Sequence, residues 1–231
     1  MDFEKASSTI NRGISFLIYA DPGVGKTTLA TTLPHKETLI INTEAGLGPT
    51  LGKTDLTIFH LKDDLSQMEE LYQYLRTNKH PFKYVVLDNI SEMEQWMINT
   101  LTTGRGKDFV ELKEYGDAAY KMREYLTLFR DLIYKNITVV FNAWEMPLPI
   151  QEHDGIVKTK LFPKMNRKVA PEICGKVDVV GHMEMYEKTG DRFIRFEPTN
   201  EIEAKCQFKG LDKFEPPDFH AILKKLYDYK Y

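Results

Sequence analysis

Short runs of β-branched and other apolar residues alternate along this chain with segments in which apolar residues recur at helical spacing. Such alternation is typical of an α/β protein whose central sheet is parallel or mostly parallel. Two later runs, 177–180 and 193–196, flank a turn at 188–191 and predict an antiparallel hairpin near the carboxyl end. The other predicted strands are 14–19, 38–42, 56–59, 84–87 and 137–141.

Helical periods fall between these strands. Ser91 and Glu94 have the spacing of a capping box, which predicts a helix beginning there. Asp218 follows two prolines and can cap a last helix that carries an apolar face. The other predicted helices are a short one ending before Pro34, one around 65–75 and a long amphipathic one around 122–133.

Two segments lack a clear period. Residues 102–116 predict a glycine-containing, partly basic loop, and residues 145–170 predict a long exposed loop or a loose hairpin. Loops of this length in a compact domain are usually functional or mobile. Both segments are therefore candidates for interaction with a partner.

Chain length favours one large α/β domain over residues 1–231, with a core at about 10–210 and a C-terminal helix at about 218–229. The 231 residues are 42% hydrophobic, enough for a substantial core, and 28% charged, as is ordinary for a soluble protein. The net charge of −3 argues against a generally basic nucleic-acid coat protein but leaves room for a local basic patch.

Cysteine usage and hydropathy indicate the compartment. Cys174 and Cys206 are the only cysteines, and we expect two free thiols, since a metal site would need more ligands. The amino terminus has no apolar signal region, and no apolar run approaches 18 residues. We therefore expect no secretion, no membrane span and a cytoplasmic location.

The clearest chemistry lies in residues 20–27, Ala-Asp-Pro-Gly-Val-Gly-Lys-Thr, between the first predicted strand and helix. Strand, glycine loop and helix are the context in which a P-loop cradles phosphates. Gly23 and Gly25 allow unusual dihedral angles, so that loop amides can point at anionic oxygens. Lys26 supplies positive charge for the terminal phosphates, and the Thr27 hydroxyl can ligate magnesium.

The motif departs from its usual form at Ala20, where a first glycine is common. Alanine is the smallest side chain after glycine, so the phosphate-binding interpretation stands. The alternative is an ordinary glycine turn between a strand and a helix. The predicted ATP-binding residues are Asp21, Pro22, Gly23, Val24, Gly25, Lys26, Thr27 and Thr28.

Two carboxylates can complete this site. Asp88 ends an apolar strand and can hold magnesium together with Thr27, usually through the metal's waters. Glu44 follows the strand 38–42 and can orient and deprotonate an attacking water. The alternatives are an ordinary strand-end aspartate and a solvated loop glutamate.

The order of these parts resembles the RecA/RadA recombinase ATPase core over about residues 10–210. Within that group the chain is most similar to small phage-encoded RecA-like ATPases associated with single-strand annealing and recombination. The resemblance implies a RecA-like P-loop NTPase fold, ATP and Mg²⁺ as cofactors, and assembly into a homo-oligomeric ring or filament. The segments that carry it are 20–27, 40–46, 85–90 and 139–144.

The resemblance also implies roles for individual residues. Glu44 takes the place of the glutamate that activates water, near Asn42 where the family has an aspartate. Asn142 and Trp144 lie where the family often has a glutamine or histidine that senses the terminal phosphate. Lys205 is the candidate for a late catalytic lysine that reaches the nucleotide of a neighbouring subunit, the alternative being an ordinary surface lysine.

The loops 102–116 and 145–170 correspond to segments that face DNA in the recombinases. Their cations could follow a phosphate backbone, while Phe109 and Phe162 could stack on bases. The alternative is a pair of solvated loops in which Phe162 anchors its loop to the core. The candidate single-stranded DNA contacts are Arg105, Lys107, Lys158, Lys160, Lys164, Arg167 and Lys168.

These features predict a magnesium-dependent RecA-like ATPase that acts on single-stranded DNA in phage-type recombination or annealing, with a single-strand-binding protein as a further candidate partner. Two alternatives stay open. One is an ATP-dependent DNA-binding and annealing module with little hydrolysis. The other is a small-molecule P-loop kinase, in which Arg167 would belong to a lid that closes on the phosphates.

Overall fold

A computed structural model describes residues 7, 9–43, 48–61, 66–151 and 157–230 of the chain. Ten strands of this described part form one sheet. They are β1 Ser15–Ala20, β2 Thr38–Asn42, β3 Thr57–His60, β4 Tyr84–Asp88, β5 Thr138–Gln151, β6 Val157–Pro163, β7 Val179–Met185, β8 Arg192–Arg195, β9 Lys205–Cys206 and β10 Phe214–Glu215.

The helices connect and cover these strands. The predicted last helix is confirmed, because the Asp218 carboxylate accepts hydrogen bonds from the backbone of His220 and Ala221 at its start. Short 3-10 turns lie at His35–Glu37, Gly48–Thr50 and Asp131–Lys135. The α-helices are α1 Lys26–Ala30, α2 Ser66–Thr77, α3 Ile90–Gly104, α4 Leu112–Arg130, α5 Val169–Lys176 and α6 Phe219–Asp228.

The sheet follows the order β10-β8-β7-β1-β5-β4-β2-β3, with β6 paired to β5 and β9 paired to β7. Strand β1 pairs in parallel with β5 on one side and with β7 on the other. Strands β5, β4 and β2 are also parallel, whereas β7 and β8 are antiparallel. The predicted α/β fold, a mostly parallel sheet with an antiparallel C-terminal hairpin, is confirmed. The carboxyl ends of β1, β5, β4 and β2 consequently meet at one edge of the sheet, where ligands of such folds bind.

Apolar side chains fill both faces of the sheet, which is why its strands have continuous apolar runs instead of alternating ones. One face packs against α2, α3, α4 and α5. The other packs against α1 and α6. Phe16 on β1 contacts Phe219 on α6 edge to face, with ring centroids 5.4 Å apart, so the last helix belongs to the core.

The two segments for which the sequence showed no clear period, 102–116 and 145–170, contain regular secondary structure. Of the two forms predicted for 145–170, the hairpin is observed, because β5 continues past Glu145 and pairs antiparallel with β6. The predicted loop 102–116 is too long, since α3 ends at Gly104 and α4 begins at Leu112. Helix α4 is capped by the Glu114 carboxylate, which accepts a hydrogen bond from the Glu111 backbone at 2.9 Å.

The capping box predicted at Ser91 and Glu94 is wrong. Asn89 is the N-cap of α3, so both side chains lie inside the helix. The Ser91 hydroxyl accepts a hydrogen bond from the Trp144 backbone at 3.0 Å, and the Glu94 carboxylate accepts one from the Asn166 backbone at 2.9 Å. These bonds tie α3 to β5 and to the segment before α5. Tertiary partners therefore use the side chains that local spacing assigned to a cap.

Candidate nucleotide-binding site

The loop between β1 and α1 turns through two glycines with left-handed backbone. Gly23 has φ 81° and Gly25 has φ 117°, a region that residues with a Cβ rarely adopt. Asp21, Pro22 and Gly23 are exposed at the carboxyl end of the fully buried β1. The loop therefore bends tightly at the sheet edge and leaves its backbone open to a ligand.

Lys26 lies against the inner side of this loop. Lys26 is only 7% exposed, and its Nζ donates hydrogen bonds to the backbone oxygens of Ala20 and Asp21 at 3.0 Å each. Hydrogen bonds from an ammonium to phosphate oxygens are charge-assisted and stronger than those to carbonyl oxygens. The arrangement thus favours a polyphosphate over the loop.

The side chain of Thr27 connects the loop to β4. Its Oγ1 donates to Oδ2 of Asp88 at 2.7 Å, and Nδ2 of Asn142 donates to Oδ1 of the same carboxylate at 3.2 Å. Asp88 is 4% exposed. Burial raises the pKa of Asp88, although hydrogen bonds from Thr27 and Asn142 and the charge of Lys26 act in the opposite direction. The neighbouring groups therefore offset the cost of burying this carboxylate only in part.

A divalent cation fits these residues. Magnesium is usually held by one or two carboxylates together with substrate phosphates and waters, and seldom by an all-protein cage. Thr27 Oγ1 and the Asp88 carboxylate would hold the ion, and its charge would offset the desolvation of Asp88.

Neighbouring strand ends complete the edge around Asp88. In the sheet register Asp88 lies opposite Asn142 of β5 and Asn42 of β2. The Thr43 hydroxyl accepts from the Asn89 backbone nitrogen at 3.0 Å and donates to the Asn89 oxygen at 2.8 Å. The end of β2 is thereby tied to the segment after Asp88. Glu44, the predicted water-activating residue, lies outside the described residues.

A cavity of about 310 Å³ lies over the loop, at the lower end of the range for ligand pockets. Of the eight predicted ATP-binding residues, Asp21 and Val24 do not line it. Sequence reasoning missed Pro49 and Asn89 at its rim, although Asn89 directly follows the strand-end aspartate. The cavity is lined by Pro22, Gly23, Gly25, Lys26, Thr27, Thr28, Pro49, Asp88, Asn89 and Trp144.

Lys205 lies apart from this cavity. It forms part of β9, opposite Val180 of β7, and its Nζ donates to the backbone oxygen of Gly175 at 2.8 Å. Burial lowers the pKa of Lys205. Within one subunit the structure does not bring Lys205 to the phosphate loop, and a role toward a neighbouring subunit stays a prediction.

The two basic residues that follow α3 form ion pairs with carboxylates of α4 and its N-cap. Arg105 forms ion pairs with Glu114 and Asp117, and Lys107 forms ion pairs with Glu111 and Glu114. The hydrogen bond from Arg105 is the largest of the contacts that lower the pKa of Glu114 to about 2. Three carboxylates therefore surround two cations, and this segment carries no local positive surplus.

The remaining predicted DNA contacts lie on β6 and on the turn that follows it. Lys158 is exposed on β6, while Lys160 forms an ion pair with Glu203 at 2.6 Å. Lys164 places its Nζ 5.0 Å from the ring centroid of Trp144, a cation–π contact next to the cavity. Arg167 and Lys168 are exposed just before α5.

The two aromatic candidates for base stacking differ in their exposure to solvent. Phe162 is 5% exposed and packs into the core, so the anchoring alternative is the observed one. Phe109 is 68% exposed. Trp144 lines the cavity and also contacts Lys164, a candidate DNA contact.

Comparison with protein families identifies the family of this chain. Residues 12–208 match a family described as an AAA domain. The chain belongs to this family. The prediction of a P-loop ATPase core is thereby confirmed, whereas the phage-type relationship stays a prediction. No curated protein matches the sequence of this AAA-domain protein.

Solved structures also match the AAA-domain protein. One is a crystal structure of the RadB recombinase, with 18% identity over 82% of this chain and 84% of that chain and a TM-score of 0.48. Another is the flagellar accessory protein FlaH from Methanocaldococcus jannaschii, with 9% identity over 80% and 77% and a TM-score of 0.44. In the described residues no helix has the length and apolar character needed to cross a membrane.

Proposed function

We propose that this AAA-domain protein is a magnesium-dependent ATPase that acts on single-stranded DNA. One observation carries the nucleotide part of the proposal, namely the 2.7 Å contact between the Thr27 hydroxyl and the Asp88 carboxylate beside the phosphate loop. A P-loop threonine and a strand-end aspartate are the two residues that hold magnesium in P-loop NTPases. They come from positions 61 residues apart and converge on one cavity.

Each residue then has a defined task. Amides of the loop and the Lys26 ammonium bind the terminal phosphates, while Thr27 and Asp88 hold the magnesium ion. The bound ion would neutralise charge on the phosphates. Asn142 keeps the Asp88 carboxylate oriented through its amide. Glu44 is the proposed base that orients and deprotonates water.

Lysine replacement tests the nucleotide part. Lys26→Ala removes the loop's ammonium, so ATP turnover is expected to disappear while circular dichroism and the thermal transition stay those of a folded protein. Lys36→Ala, which removes an exposed cation shortly after α1, is the matched control and should keep full turnover. Retained hydrolysis in Lys26→Ala would overturn the assignment.

Single-stranded DNA is the proposed partner because three cations on the turn that follows β6 form no ion pair with a carboxylate of the described residues. The ion pairs of the described residues do not include Lys164, Arg167 or Lys168, in contrast to Arg105, Lys107 and Lys160. Cations near an exposed aromatic surface are the usual means of binding single strands without sequence preference. Support for DNA contact therefore shifts toward the turn that follows β6.

Titration at several salt concentrations tests the DNA part. Replacing Lys164, Arg167 and Lys168 together by alanine should weaken binding of a labelled oligonucleotide and lower the slope of log affinity against log salt by about 2. Replacing Lys36, Lys135 and Lys224, three exposed cations elsewhere, is the control. Equal losses in both triple variants would contradict a localised DNA site.

A DNA-binding and annealing module with little hydrolysis is the second candidate. It is favoured by Asn142, whose amide is committed to Asp88 where a sensor of the terminal phosphate is expected. ATP turnover with and without single-stranded DNA separates the two candidates, since an ATPase coupled to DNA should be stimulated. Ring or filament assembly, a catalytic Lys205 acting across subunits and a single-strand-binding protein partner are further parts of the proposal.

A further inference from the structure

A second side chain touches the phosphate loop from the opposite part of the sheet. Arg192, the first residue of β8, donates its Nε to the backbone oxygen of Val24 at 2.6 Å. Its Cδ and Nε also lie 3.5 Å from the position that a Cβ of Gly25 would take. The guanidinium is therefore held in contact with the loop, although 168 residues separate it from Val24.

The same face of the hairpin carries two methionines. Met185 lies directly opposite Arg192 in the antiparallel register, so the two side chains share a face of the sheet. Met183, two residues earlier on β7, shares that face and places its Cε 3.4 Å from the Gly25 Cβ position. Met185 is 45% exposed. Arg192 and Met185 thus form a cationic and apolar surface beside the loop, which we name the hairpin platform.

Two carboxylates of the hairpin, one next to Arg192 and one next to Met185 in sequence, are already engaged. Asp191 accepts a hydrogen bond from the Thr189 hydroxyl at 2.6 Å. Glu184 points to the other face, where it pairs with Arg195 at 2.9 Å and contacts His182. Arg192 forms no ion pair with a carboxylate of the described residues. Its terminal nitrogens and its planar face are accordingly available to a ligand.

The position of the hairpin platform indicates which part of a nucleotide would meet it. Strand β1 has β5 and then β4 with Asp88 on one side, and β7 and then β8 on the other. Thr27 and Asp88 would hold the magnesium ion, whose charge would offset that of the terminal phosphates of a nucleoside triphosphate. Those phosphates would accordingly lie toward Asp88, and the nucleoside end would extend toward β7 and β8.

We propose that the hairpin platform binds the base of the nucleoside triphosphate, with Arg192 as the residue that contributes most. This inference rests on the proposed nucleotide binding. An arginine guanidinium stacks on aromatic faces, and a methionine thioether makes favourable contacts with aromatic rings. Because every base has such a face, stacking discriminates weakly between bases. The platform predicts similar affinities for ATP and GTP.

Calorimetric titration of the full chain with Mg-ATP and with magnesium tripolyphosphate tests this inference. Tripolyphosphate carries the same phosphate chain without a nucleoside. Arg192→Ala should weaken ATP binding about 10-fold, the lower part of the range for loss of one stacking contact, and leave tripolyphosphate binding unchanged. Arg192→Lys keeps the charge but loses the planar face, so it should also weaken ATP binding. Lys224→Ala on α6 is the control.

The outcomes separate this inference from the function on which it rests. Equal weakening of ATP and tripolyphosphate in Arg192→Ala would mean that Arg192 acts only through the loop, and would overturn the platform. Unchanged ATP affinity in that variant would overturn it as well. Wild-type protein that binds tripolyphosphate as tightly as ATP would exclude a base platform but keep the phosphate site. Wild-type protein that binds neither would overturn both proposals.

Discussion

Two buried aspartates at opposite edges of the same sheet have opposite electrostatic surroundings. Asp178 and Asp88 are each 4% exposed. Asp178, just before β7, accepts two hydrogen bonds from Arg12, at 2.9 and 2.7 Å, and two from Ser15, at 2.9 and 2.8 Å. Asp88, at the end of β4, accepts one from Thr27 and one from Asn142.

The pKa values of the two aspartates differ accordingly. Burial by itself would raise both. The bonds from Arg12 and Ser15 more than offset it and lower the pKa of Asp178. At Asp88 burial prevails and the pKa is raised. The hydrogen bonds of the chain thus more than offset the burial of Asp178, which suits a structural role, and offset the burial of Asp88 only in part, which suits a ligand-binding role.

The largest expected effect separates activity from stability at Asp88. Asp88→Asn removes the carboxylate proposed to hold magnesium, so ATP turnover should fall by at least about 100-fold. The free energy of unfolding should stay within about 1 kcal/mol of wild type or rise, because the amide has no charge to desolvate. Urea titration and an ATPase assay measure the two quantities, and a large loss of stability would contradict the comparison.

Asp178 should behave in the opposite way. Asp178→Ala leaves Arg12 and Ser15 without their acceptor and should lower the free energy of unfolding by about 3 kcal/mol. ATP binding by the folded fraction should be unchanged. Glu187→Ala, at an exposed turn residue, is the control and should change stability by less than about 0.5 kcal/mol. If Asp178→Ala lowers the free energy of unfolding by less than about 1 kcal/mol, the structural role of Asp178 is contradicted.

Acid titration checks the sign of the Asp178 contribution. Its folded-state pKa lies below the ordinary value of 3.8, so its stabilisation is complete above that pH and is lost as the pH falls through the lowered pKa. The difference in unfolding free energy between wild type and Asp178→Ala should therefore be constant from pH 7 to 5 and shrink below about pH 4. A difference that grows on acidification would contradict the lowered pKa.

The smallest effect concerns Ser15. Ser15→Ala removes one donor to Asp178 and one of the two acceptors of the Asp178 backbone N–H, which also donates to the Ser15 backbone oxygen. Stability should fall by about 1–2 kcal/mol, less than for Asp178→Ala, because the Arg12 bonds remain. Chemical denaturation gives the size of the loss, and unchanged ATP affinity would show that this edge serves the fold alone.

The geometry of the candidate nucleotide site follows signals in the sequence that are local. Gly23 and Gly25 permit the left-handed turn, and Lys26 and Thr27 follow it directly in sequence. An apolar run ending in Asp88 marks a buried strand that stops at the same sheet edge. Parallel pairing then brings the ends together whatever the intervening residues are.

Contacts between distant segments were not predictable in this way. The arginine partner of Asp178 is 166 residues away, and the loop contact of Arg192 spans 168 residues. Among the basic residues, sequence could not distinguish Arg105, surrounded by carboxylates, from Arg167, which is exposed. A charge count along the chain does not show which carboxylates fold against which cations.

Sequence by itself thus determined the alternation of strands and helices, the phosphate loop and the strand-end carboxylate, because each depends on backbone preferences and burial over a few consecutive residues. Only the tertiary structure decided which buried aspartate is compensated, which cations stay unpaired, and which side chain of the late hairpin meets the loop. Those outcomes depend on distances between residues far apart in the chain, and the folded sheet alone sets such distances.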